Sequence, residues 1–231
     1  MWAWALLPVF LAIWATVGTW IVYVMAVNNG SVNIADGFPY ISTCGAYPPQ
    51  SCIFSQVLNV GAMLAAWICV IRFQQIRDYG FHSHLNSASL AMGLLTALGT
   101  SIVANFQQSI QLQVHLVGAF LAFFVGNVYF WMQTVLTYHL KSMPLQHIVG
   151  TMRFCLSIAS TALIAMIVVF FAIGFKSESA ICEWIVAMIL FGLFGSFSFE
   201  FYYMDGHFFH VMKRKTIIPN EVQVSTITLN P

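Results

Sequence analysis

The stretch FCLSIASTALIAMIVVFFAIGF, residues 154–175, decides the fold class. It carries no Asp, Glu, Lys or Arg. At about 1.5 Å of rise per residue, a helix of that length crosses the roughly 30 Å core of a bilayer. Its apolar residues are continuous, whereas a barrel strand needs shorter, alternating segments. Working outward, five more runs share this character: 4–27, 53–71, 85–104, 114–138 and 184–201. The run at 85–104 is the most polar, with Asn86, Ser87, Ser89, Thr96, Thr100 and Ser101. The reading is an all-α integral membrane protein, a six-transmembrane-helix bundle over residues 1–203. A short polar tail over 204–231 follows, expected to be disordered in the cytosol.

Composition agrees. Hydrophobic residues make up 60% of the 231 and charged residues 6%, against about 25% charged in soluble domains. So few charges do not cover a soluble surface. A formal net charge of +1 argues against a nucleic-acid partner held by phosphate contacts. Met1-Trp2-Ala3-Trp4 has no basic residue, and the apolar run behind it is longer than a signal-peptide core. It reads as an uncleaved first span.

Basic residues set the expected orientation. With six spans, Arg72, Arg77, Lys141, Arg153, Lys213, Arg214 and Lys215 share one side, and Lys176 lies on the other. Both termini are therefore expected in the cytosol. The first outer loop, about 28–52, is the only long one, and its Pro and Gly residues suit a constrained cap. It carries the sequon Asn29-Gly30-Ser31, a candidate glycosylation site. Cys44, Cys52 and Cys182 fall on the same side, where disulfides persist. Cys44–Cys52 is the first expected pairing, with Cys182 as the alternative partner. Cys69 and Cys155 are expected to be free.

Ionisable residues inside a membrane are functional candidates because burying them is costly. Glu200, near the cytosolic end of the last span, reads as an ion or partner site, as half of a buried pair with a basic loop residue, or most simply as a carboxylate reaching interfacial water. His115 opens the fourth span and reads first as an interfacial histidine. Asn59, Asn105 and Gln107, with Gln56, Asn127 and Gln133, give spans two to four a polar face. That face suits interhelical hydrogen bonding first, and a permeation path or headgroup pocket second. Gly118, Ala122 and Gly126, and Gly61 and Ala65, recur at close spacing and suit helix packing, within the bundle or between copies in an oligomer. His207 and His210 are poorly placed for a metal, with Asp205 the only carboxylate nearby. No phosphate loop, zinc-protease motif, nucleophile elbow or voltage-sensor arginine series is present, so no catalytic residue, cofactor or metal is expected.

Several segments together resemble the transmembrane protein 150 proteins and the damage-regulated autophagy modulators of the DRAM/Frag-like family. They begin with Leu7-Pro8-Val9-Phe10 and Trp20-Ile21-Val22-Tyr23. The most specific lie in the outer loop: Phe38-Pro39-Tyr40-Ile41-Ser42, Cys44-Gly45, and the run from Pro48 to Gln56. Asn105-Phe106-Gln107, Cys182-Glu183-Trp184 and Ser198-Phe199-Glu200-Phe201 complete the set. The likeness covers about residues 1–203. It implies six spans, cytosolic termini, and residence in plasma, endosomal, lysosomal and autophagosomal membranes. It also implies a non-enzymatic role in modulating macroautophagy, through membrane lipids and membrane or cytosolic protein partners. Other relatives suggest alternatives: an ion channel or mechanosensitive-channel regulator, an adaptor for a phosphoinositide kinase complex using Lys213-Arg214-Lys215, and, more distantly, lipid remodelling.

Overall fold

The computed structural model describes residues 3–140 and 145–204, and all regular structure among them is helical. The elements are α1 (Leu6–Asn28), α2 (Ile41–Cys44), α3 (Gln50–Asp78), α4 (His84–Asn105), α5 (Leu112–Ala119), α6 (Gly126–His139), α7 (Gln146–Ile173), α8 (Lys176–Gly195) and α9 (Ser198–Phe201). A π-helical turn, Phe120–Val125, joins α5 to α6 without a break. Six helical units are long and apolar enough to cross a membrane: Ala3–Asn28, Gln50–Asp78, His84–Asn105, Leu112–His139, Gln146–Ile173 and Lys176–Phe201. Lys141, Asp205, His207, His210, the Lys213-Arg214-Lys215 cluster and the rest of the tail lie outside the described residues.

Local chemistry explains the helix ends. Ser83 caps α4 by accepting the Leu85 N–H at 3.1 Å. Gly174 closes α7 in the left-handed region, at φ +88°, and the Phe175 N–H reaches back to the Phe170 carbonyl at 2.9 Å. The helices run longer than the apolar runs that announce them. α3 continues past Arg72 to Asp78, and α7 starts at Gln146, so Arg153 lies inside a helix.

The spans form a closed ring in chain order: α1 packs on α3, α3 on α4, α4 on α5–α6, α6 on α7, α7 on α8, and α8 on α1. The outer surface is apolar, with Val168 65%, Phe171 62% and Ile13 58% exposed. An apolar coat of this extent suits lipid rather than water. Inside, one cluster gathers Ile68, Ile71, Tyr129, Phe130, Phe194 and Phe197. A second, toward α2, gathers Val22, Ile41, Cys44, Phe54 and Trp184. The small residues are used inside the bundle. A methyl on Gly99 would meet the Ala122 nitrogen at 2.7 Å and the Gly118 carbonyl at 2.8 Å, so α4 and span four touch backbone to backbone.

Candidate functional site

Two fully buried arginines meet one carboxylate at the end of the bundle away from α2. Arg72 and Arg153 are 0% exposed and Glu200 is 4% exposed. Arg153 grips Glu200 with both terminal nitrogens. Nη2 donates to Oε2 at 2.7 Å and Nη1 donates to Oε1, the two-pronged geometry that favours arginine. Arg72 Nη2 lies 3.2 Å from the same Oε1. The carboxylate is therefore shared, and two cations and one anion leave the cluster formally one charge positive.

Neutral groups engage Nε and Nη1 of both arginines, whereas Arg72 Nη2 makes no hydrogen bond among the described residues and meets Glu200 only as an ion pair. Arg153 Nη1 also donates to Thr137 Oγ1 at 2.8 Å, and its Nε to Ser196 Oγ at 3.0 Å. Arg72 donates through Nη1 to Gln75 Oε1 at 2.7 Å and through Nε to Gln133 Oε1 at 3.1 Å. Gln133 passes the chain on to Ser89 Oγ at 2.7 Å. Gln75 donates to the Glu200 carbonyl at 2.9 Å. The Phe197 ring lies 4.4 Å from the Arg153 guanidinium carbon, in cation–π range. Spans two to six all contribute, and the aromatic cluster of Tyr129, Phe130 and Phe197 covers the network from the membrane centre. A cluster so placed ties five helices into one geometry, since breaking one charge pair strands another charge in a medium that solvates it poorly.

The interfacial reading of Glu200 is corrected by this geometry: its carboxylate is held by protein and does not reach water. The pairing with a basic loop residue, the alternative reading, is the one the structure has; the sequence did not single out Arg72 and Arg153, because both sit at the edges of apolar runs and read as loop charges. The signal available was a lone acid in the last span with arginines on the same side of the topology.

The other sequence candidates lie toward the opposite end. Asn59 and Asn105 pair across α3 and α4, with Asn59 Nδ2 donating to Asn105 Oδ1 at 3.0 Å and Ser101 donating to Asn59 at 2.7 Å. Gln107 follows α4 in a turn, where its carbonyl accepts the Ile110 and Gln111 N–H groups. His115, in the first turn of its span, is 4% exposed and its Nδ1 donates to the Phe106 carbonyl at 2.7 Å. Asn29 is exposed at the end of α1, and its Nδ2 donates to Gln50 at 2.6 Å. Cys44, Cys52 and Cys182 are free thiols, and the expected Cys44–Cys52 bridge is not formed. Cys44 faces inward beside Phe54 and Trp184, whereas Cys52 is exposed on the first turn of α3. Burial, with Glu183 adding to it, pushes the Cys44 thiol up to about 12.

Sequence reasoning gave no role to the aromatic clasp at this end. Trp184 is 4% exposed and packs against Trp20, Tyr23 and Phe38, with ring centroids 4.6, 5.6 and 6.1 Å away. Its indole N–H donates to the Pro39 carbonyl at 3.0 Å. Beside it, Glu183 accepts the Ile41 N–H at 2.9 Å. Together they fasten the outer loop onto α8.

Fold and site define a six-span helical membrane protein closed at one end by a buried ionic network. Residues 3–204 match the family described as the Frag1/DRAM/Sfk1/Cwh43P N-terminal domain, and the chain belongs to that family. The chain is 70% identical over 230 residues, covering all of both chains, to a Xenopus tropicalis protein named modulator of macroautophagy TMEM150B. It is 53% identical over 204 residues to the human protein of that name, covering 87% of each chain. It is 33% identical over 229 residues to mouse transmembrane protein 150A, covering 87% of this chain and 84% of that one. No solved structure matches it.

Proposed function

We propose that this chain is a non-enzymatic, multi-pass membrane modulator of macroautophagy. The observation that carries the reading is the identity of 70% across the whole chain with a protein named for that role. The site is in keeping with it. The buried charges are turned on one another and on neighbouring hydroxyl and amide groups, an arrangement suited to holding helices rather than to turning over a substrate.

The chain sits with both termini in the cytosol, as the placement of its basic residues favours. It works in plasma, endosomal, lysosomal or autophagosomal membranes, through lipids and through membrane or cytosolic proteins that contact its short loops and tail. The polar groups of α3 and α4 pair with one another, which favours helix association over a permeation path. Autophagic flux, measured with and without a lysosomal inhibitor, tests the reading. Cells lacking the protein should show altered flux, restored by the intact chain. Unchanged flux in both depleted and overexpressing cells would remove it.

A further inference from the structure

A cavity lies between α1, α3, α4, span four and α8, separate from the arginine–glutamate network. Its walls run from Phe54 to Ala65 on α3, from His115 to Gly126 on span four, and from Glu183 to Phe194 on α8. Each stretch rises about 16 Å along its helix, roughly half of a 30 Å hydrocarbon core. The cavity is therefore about one leaflet deep, on the α2 side of the bundle.

The walls are apolar. Gly61, Ala62, Ala65, Ala119, Ala122 and Gly126 form low stretches among bulkier side chains such as Phe54, Phe123 and Phe191, and those stretches suit a rigid body better than a flexible acyl chain. Ala122 and Phe123 belong to the π-helical turn. Such turns recur at functional sites, where they widen a helix and re-aim its side chains.

The end of the cavity nearest α2 is polar. His115 holds its Nδ1 proton on the Phe106 carbonyl, so Nε2 is an acceptor. Among the described residues no protein donor meets that nitrogen. Glu183, also on the lining, has one oxygen on the Ile41 N–H. A phosphate-bearing headgroup would set an anion beside this carboxyl. A lone hydroxyl fits, because it can donate to Nε2 and accept from Glu183 when that carboxyl carries its proton.

We propose that this cavity binds a membrane sterol, with its hydroxyl at His115 and Glu183 and its ring system along the small-residue walls. The test is photolabelling of the full-length chain with a diazirine-bearing cholesterol analogue, followed by peptide mapping. Label should fall on residues 54–65, 115–126 or 183–194 and be displaced by unlabelled cholesterol. Ala62→Phe, which fills the cavity, should cut it about tenfold, as should His115→Phe, which keeps the bulk and removes the acceptor.

Diazirine analogues of a long-chain alcohol and of a diacylglycerol should give no displaceable label there. Equal displaceable labelling by either would overturn the sterol assignment. So would sterol label spread over lipid-facing residues such as Val168 and Phe171 and unchanged by Ala62→Phe. Should the variants lose monodispersity, the unsubstituted chain decides. Cholesterol should raise its Tm and the 3-epimer should not, while no rise, or an equal rise with both, overturns the proposal.

Discussion

At the Arg72 end of the bundle, five spans converge on two guanidinium groups and one carboxylate. At the α2 end, the contacts are aromatic rings, neutral amides and a loop fastened by Trp184 and Glu183. The first end has one good arrangement, because every alternative leaves a charge unsolvated. The second is assembled from many weaker contacts and leaves a cavity open among them. The bundle thus has a charge-fixed half and a more adaptable half.

The largest effect is expected where the charge balance is broken. Glu200→Gln removes the only anion between two buried arginines, and thermal unfolding of the purified chain should show a loss of about 3–5 kcal/mol. Replacing Arg72, Arg153 and Glu200 together by Met should recover much of that loss, since nothing charged is then stranded. Next in size is the opposite clasp. Trp184→Phe keeps the ring and loses the hydrogen bond to Pro39, at about 1 kcal/mol, and protease nicking of the outer loop should rise. Smaller still is the α3–α4 amide pair. Asn59→Ala and Asn105→Ala should each cost about 0.6 kcal/mol, readable in the same unfolding assay.

The last prediction changes no stability. Cys44, pushed up to about 12, holds its proton throughout the neutral range, and the thiolate is the reactive form. Maleimide should label exposed Cys52 and spare Cys44 until the chain unfolds. Protection of both cysteines until reduction would instead restore the Cys44–Cys52 bridge.

The class of fold was open to reading because each span announces itself as a long apolar run, 154–175 most clearly. Helix ends were not, because Arg72 and Arg153 look like loop charges when hydropathy alone sets the limits. The separation of Arg153 and Glu200 by 47 positions carries no local pattern, so their pairing is a tertiary fact. Asn59 and Asn105 could be named as a polar face but not matched as partners. The π-helical turn at Phe120–Val125 has no signature in a run that reads as continuous helix. The burial of His115 was not legible because the backbone carbonyl that holds it lies in the preceding turn, where sequence gives no geometry.

The most direct test of the ionic tie is a double-mutant cycle between Arg153 and Glu200, using Arg153→Met, Glu200→Gln and the pair, read by thermal unfolding of the full-length chain. The structure predicts strong coupling, with the double variant less destabilised than the two single losses added together by about 2–3 kcal/mol. Additivity within about 0.5 kcal/mol would mean that the two side chains act independently, contradicting a buried network that holds the spans together.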